Sequence, residues 1–193
     1  ALTTVFCKSA LEEMSISFKV LFLMVSTAFV NTAVSFGAIP AYAYLGDVGD
    51  SVTGDKRAQK FEDDFLDDLI DEVRAVGIRA VAYMPTRNTR EQLKRVQELC
   101  RKYDLFEISG EDVNSPRQKF ECVALAKPEY SHLIESTWAL IGHEYMVNEK
   151  GVEEGMLSDK TKKEIDKFID EYYDRYTGYY LKSKEFLNDI KYK

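Results

Sequence analysis

Three short stretches of this chain concentrate the side chains that hold metal ions and phosphates. The first, Gly46-Asp-Val-Gly-Asp-Ser-Val-Thr-Gly-Asp55, offers the carboxylates of Asp47, Asp50 and Asp55, and its glycines allow close backbone approach. The second, Thr86-Arg-Asn-Thr-Arg90, stands just before an expected helix. Backbone N–H groups there attract anions, and Arg87 adds a forked cation. The third, Ser109-Gly-Glu-Asp-Val-Asn-Ser-Pro-Arg117, sets Glu111 beside Asp112 and follows them with Asn114 and Arg117. Carboxylate oxygens suit hard divalent cations, and guanidinium groups suit phosphate. Asp, Asn, Ser and Pro also build turns. A capped turn or a surface loop therefore stands beside the ligand reading at each place. The acid spacing of the first loop does not match a calcium-binding EF-hand, and no G-x-x-x-x-G-K-[ST] phosphate loop is present.

His132 and His143 are the only histidines. Eleven residues apart, they fall on nearly one helix face, but a rise of ~1.5 Å per residue separates them by about 16 Å, too far to share an ion. Each is expected to be a packing or polar-face residue. No Ser-His-Asp or Cys-His arrangement stands out.

These loops need elements to position them. Each follows an apolar run: Ala38 to Gly46, Ile78 to Pro85 and Leu105 to Gly110. Between the runs the apolar period becomes helical. Phe61, Phe65, Leu66, Leu69, Ile70 and Val73 share one face, and Glu62, Asp63, Asp64, Asp67, Asp68, Asp71 and Glu72 form an opposite face expected to be solvated. Gly77 is placed to end that helix. Thr89-Arg-Glu-Gln92 has the capping-box form, and the helix it opens should bury Leu93, Val96, Leu99 or Cys100, and Tyr103. Strand-helix alternation with short connections predicts an α/β fold with parallel strands. Parallel strands bring all three loops to one carboxyl edge, where α/β folds bind ligands. Glu107 is the only acid within these strands and no Lys lies in them, which disfavours an isomerase- or aldolase-type barrel enzyme. A further helix beyond Pro128 should carry the stripe Tyr130, Leu133, Ile134, Trp138, Ile141 and Tyr145.

The tail, residues 148–193, opens with a polar connector and then a second capping box, Thr161-Lys-Lys-Glu164. The stripe Ile165, Phe168, Ile169, Tyr172 and Tyr176 follows. It is expected to form a helical hairpin that packs on the rest of the fold or on a partner.

Residues 1–36 form a separate region of uncertain role. Val20 to Val30 is the most apolar stretch of the chain. It reads as a buried helix. The alternative is an export signal, given Lys19 before it and Ala41-Tyr-Ala43 after it. It is too short and too interrupted by Ser and Thr to be read as a membrane span.

With 193 residues, 45% hydrophobic and 31% charged, the chain has an ordinary globular composition. A formal net charge of −7 argues against nucleic acid as a partner. Three widely spaced cysteines fit free thiols in a cytoplasmic setting better than a disulfide framework.

The run Val76-Gly-Ile-Arg-Ala-Val-Ala-Tyr83, the helix Thr89 to Tyr103, and Asp104-Leu-Phe-Glu-Ile-Ser-Gly-Glu-Asp-Val-Asn114 together resemble the closing part of the PHP (polymerase and histidinol phosphatase) domain. Asp112 matches that family's metal-binding aspartate. Glu111 replaces its serine and Asn114 its metal-binding histidine, and the opening His-x-His is absent from residues 1–36. The resemblance implies that residues 37–147 are part of a distorted (β/α) barrel. It also implies hydrolysis of a small phosphate ester with a divalent metal, whether Mn, Zn, Fe or Mg. Asp112, Glu111 and Asp47 are the expected metal ligands, and Arg87, Arg117 and Asn114 the expected substrate contacts. The missing histidines leave a second reading open: a barrel-derived, non-catalytic module that binds an anion or a partner. If the chain is a fragment, its unpaired strand edges should promote self-association.

Overall fold

The computed structural model describes residues 16–47, 62–111 and 121–156, together with Val113, Pro116 and Ser158. Three strands, β1 (Ala41–Ala43), β2 (Ala80–Tyr83) and β3 (Phe106–Ser109), form one sheet in the order β1-β2-β3. Both pairings are parallel, with Tyr42 opposite Val81 and Val81 opposite Glu107. The parallel sheet expected from the alternation is present, although each strand is shorter than its apolar run. The helices are α1 (Ile16–Ser35), α2 (Leu66–Ala75), α3 (Arg90–Tyr103) and α4 (Ser131–Lys150).

Local chemistry explains the boundaries of the middle helices. α2 ends at Gly77, which takes φ +95° as the left-handed cap requires. α3 begins at a complete capping box: the Gln92 N–H donates to Thr89 Oγ1 at 3.2 Å, and the Thr89 N–H donates to Gln92 Oε1 at 2.8 Å. Asp104 closes α3 in the left-handed region at φ 53°.

One core joins the Tyr42, Tyr44, Val81 and Tyr83 side of the sheet to Leu66, Leu69, Ile70 and Val73 of α2 and to Leu93, Val96, Leu99 and Cys100 of α3. Strand alternation turns Ala80 and Phe106 the other way, and there they meet Ala139 and Met146 of α4 and Met156. The sheet is therefore sandwiched between helices, and among the described residues it is open rather than closed into a barrel.

Two expectations are corrected. The expected α4 stripe holds at Tyr130 and Leu133, which are buried, and at Tyr145, which packs partly buried against the second core, but Ile134, Trp138 and Ile141 are only half-buried and the buried face runs through Ser136, Ala139, Gly142, His143 and Met146. Small residues at 136, 139 and 142 let the middle of the helix backbone approach the sheet, and the neighbouring large side chains Trp138 and Ile141 are left half-buried. α1 is not a buried helix. Val30, 5% exposed, is its one buried side chain among those described, and Leu21, Met24, Val25 and Phe29 are exposed. No helix among the described residues is long and apolar enough to cross a membrane.

α4 runs against the direction of β3. His132 in its first turn meets Tyr83 and Glu107, and His143 near its far end meets Gly37, ahead of β1. His143 Nε2 lies 2.6 Å from the Gly37 carbonyl, and Nδ1 accepts the Met156 N–H at 2.9 Å. Those partners require the neutral ring protonated on Nε2. Burial holds its pKa below the ordinary 6.5, outweighing the opposing pull of the Gly37 carbonyl and Glu144. The unfolded chain thus takes up a proton that the fold resists, so stability present above pH 6.5 is lost as the pH falls below it. The urea midpoint should drop across that interval, and His143→Gln should flatten the slope. An equal slope in the variant would remove His143 as the cause.

Candidate functional site: the carboxyl rim of the sheet

The loops after the three strands lie on one edge and are tied to each other. Asn88 Nδ2 donates to the Leu45 carbonyl at 2.7 Å, joining the first loop to the second, and its Oδ1 accepts the Met84 N–H at 3.2 Å. The Thr86 hydroxyl donates to Glu111, joining the second loop to the third. The Gly110 N–H adds a bond to the Tyr83 carbonyl at 3.0 Å. The rim is thus continuous from residue 45 to residue 111.

The first loop is built around two acids that were expected to face solvent. Glu62 is 4% exposed. It accepts from the Tyr42 hydroxyl, the Leu45 N–H at 3.2 Å and the Gly46 N–H at 2.8 Å. Asp63 accepts from the Tyr44 hydroxyl at 2.5 Å, the Asp47 N–H at 3.1 Å and Gln92 Nε2 at 2.7 Å. Only the remainder of the acidic run meets the expectation of an outward face, as at Asp67, Asp68 and Asp71. Burial raises the Glu62 pKa, against the lowering effect of bonds from Tyr42, Gly46 and Leu45. The phenols of Tyr42 and Tyr44 are pushed far above the usual tyrosine range, first by burial and then by these carboxylates.

Asp47 reciprocates. Its Oδ1 accepts the Glu62 N–H at 2.8 Å and the Asp63 N–H at 3.3 Å, capping the turn that leads into α2. Gln92 spans the assembly, since Nε2 also reaches the Asp47 carbonyl at 2.7 Å. Gly46 sits at the centre with φ +69°, and a Cβ there would lie 2.7 Å from Asn88 Nδ2 and 2.8 Å from Gln92 Nε2. Only glycine fits both the backbone angle and the space.

Arg87 is half-buried in the second loop, and its guanidinium makes no ion pair among the described residues. In the third loop Glu111 is exposed. It accepts from Thr86 through Oε2, and its Oε1 lies 3.0 Å from the Cys122 sulfur. Burial, followed by this carboxylate, pushes the Cys122 thiol up to about 12, so it stays protonated and donates. Asp112, Asn114 and Arg117, like Asp50 and Asp55, lie outside the described residues.

A second polar cluster lies below the rim, on the face covered by α2 and α3. The Tyr83 hydroxyl donates to Glu107 Oε2 at 2.7 Å and accepts from Gln97 Nε2 at 3.1 Å. His132 Nε2 lies 3.3 Å from the Tyr83 oxygen and 3.4 Å from the same Glu107 oxygen. The Tyr83 phenol is raised by burial and then by Glu107. Sequence reasoning treated His132 and Glu107 separately. Their pairing was hidden because it depends on α4 returning along β3.

Asp47 and Glu111 share a rim, each engaged by its own protein donors. Among the described residues no three His, Cys, Asp or Glu side chains gather around a point fit for a metal ion. No protein-family model matches the chain, and neither a curated protein nor a solved structure shows significant similarity to it.

Proposed function

We propose that the rim carries a phosphoesterase site of PHP type. The observation that supports this most is the parallel pairing, which brings the Asp47, Arg87 and Glu111 loops to one continuous edge. The barrel relationship belongs to the same proposal: α2 and α3 cover one face of consecutive parallel strands, as (β/α) units do. In this reading Asp112 and Glu111 supply adjacent carboxylates. Arg87, Arg117 and Asn114 hold the phosphate, with Arg87 as a half-buried cation not spent on a described acid. Asp47 fits the ligand role least, because its Oδ1 already caps two backbone N–H groups. A divalent metal, when bound, would activate water and neutralise phosphate charge.

The rival reading, a non-catalytic module that binds an anion or a partner through the same rim, is favoured by one observation. Both described rim carboxylates are already engaged by protein donors. Metal analysis of the purified protein and assay of a generic phosphate monoester with Mn²⁺ separate the two. Metal-dependent hydrolysis that disappears in Asp112→Ala supports the enzyme. A protein that binds no metal and turns over no ester supports the module.

A further inference from the structure

The polar cluster below the rim leaves one nitrogen unspent. Gln97 Nε2 donates to the Tyr83 oxygen at 3.1 Å, and the Tyr83 hydroxyl gives its hydrogen to Glu107 Oε2 at 2.7 Å. Neither oxygen then has a proton to offer His132 Nε2, which lies 3.3 Å from the first and 3.4 Å from the second. Nε2 must therefore be the donor, which fixes the Nε2–H form of the ring and leaves Nδ1 with a bare lone pair. Nδ1 has no hydrogen-bond partner among the described residues, and the His132 side chain is 40% exposed.

The chain's other histidine is its opposite. His143 is 8% exposed, and both of its nitrogens are bonded. One imidazole is thus locked in the core, while the other is held by a carboxylate through one nitrogen and open at the second. An activated nucleophile is built in this way, with a neighbouring group fixing the ring that reacts. Glu107 is 14% exposed, and among the described residues His132 is the one cationic partner within ion-pair reach of it. Positive charge gained by the ring is therefore met by a carboxylate already in place. His132 also stands in the first turn of α4, a 20-residue helix with no acid in that turn and no side-chain cap. The positive end of the helix dipole favours an approaching anion there. Arg90, exposed at the start of α3, is close enough to Tyr130 to act on its phenol, and Glu129 acts on it with opposite sign. An electrophile that carries negative charge suits this place better than a neutral one.

We propose that His132 is a phosphoryl-acceptor site, with Nδ1 taking the phosphoryl group of a small acyl phosphate and with Glu107 and Tyr83 as positioning residues. The Nδ1 lone pair forms the N–P bond. The bond between phosphorus and the acyl oxygen breaks, and the carboxylate leaves with that electron pair. The ring gains a positive charge that Glu107 balances across Nε2–H, and loss of that proton to solvent restores a neutral ring. The cluster shares no residue with the rim, so the inference is independent of the phosphoesterase reading.

The test treats the full chain with acetyl phosphate in metal-free buffer, where metal-dependent hydrolysis cannot consume the donor. Peptide mapping at alkaline pH, where phosphohistidine survives, should find the label on His132 and not on His143. Nitrogen NMR of the imidazoles should show His132 as the Nε2–H form before labelling and with phosphorus on Nδ1 after it. His132→Gln should lose the label. Glu107→Gln should slow labelling several-fold and let phosphorus appear on both nitrogens, whereas Val30→Ala, a loss of packing away from the cluster, should change neither rate nor position. Equal labelling of the two histidines, phosphorus confined to Nε2, or no label at all would overturn the inference. So would a Glu107→Gln variant labelled at the same rate and on the same nitrogen as the wild type.

Discussion

Glu62→Ala should lower the unfolding free energy by about 3 kcal/mol, because it strips the partner from three donors in a dry site. Those donors are the Tyr42 hydroxyl and the N–H groups of Leu45 and Gly46, and the side chain that serves them is 4% exposed. Neither N–H is part of the strand pairing between β1 and β2, which covers Ala41 to Ala43. The chain turns out of the sheet at this point, and the carboxylate supplies the acceptors that a neighbouring strand would otherwise provide. Glu62→Gln keeps one acceptor oxygen but sets an NH₂ group against existing donors, so a loss of about 1–2 kcal/mol is expected. Urea titration of the two variants beside the wild type measures both. An alanine variant as stable as the wild type would show that water replaces the carboxylate at no cost.

Tyr83→Phe should cost about 2 kcal/mol for the same kind of reason, at a different place. Tyr83 is 1% exposed, and its oxygen joins Gln97 of α3 to Glu107 of β3, with His132 of α4 against the Tyr83 and Glu107 oxygens. Removing one oxygen leaves an amide and a carboxylate without their mutual link, and the Glu107 side chain is only 14% exposed. A double-mutant cycle with Glu107→Gln isolates the pair. Residues in one hydrogen-bond network are expected to couple by at least about 0.5 kcal/mol. Additive losses would mean that the two side chains are stabilised separately and that the bridge is incidental.

The sequence was most legible where local chemistry decides the outcome. Gly77 ends its helix in a left-handed conformation, Thr89 and Gln92 form both halves of their capping box, and the β-α-β alternation became parallel pairing. It was least legible where the partner comes from far along the chain. Glu62 and Asp63 looked like part of a solvated acidic face because helical periodicity assigns them there. Only the return of β1 beneath them, bringing Tyr42 and Tyr44, turns them inward. The α4 stripe was misplaced for a related reason. Size was taken as the sign of burial, whereas Ser136, Ala139 and Gly142 are buried because they are small enough to admit the sheet. For the rim, residue types and edge were readable, but Asp47's duty as a cap was not, since nothing in its own neighbourhood marks Glu62 and Asp63 as the groups it serves.

Gln92 closes a helix cap with its oxygen and steadies a distant carbonyl and carboxylate with its nitrogen. One amide thus answers to three separate parts of the chain, and no other residue type of that length both gives and takes in this way. Drift at Asp47, Asp63 or Gln92 breaks more than one bond, and drift at Thr89 removes the hydroxyl half of the capping box. Descendants of this chain should therefore keep the quartet whole or exchange several of its members together, and single replacements should be rare among them.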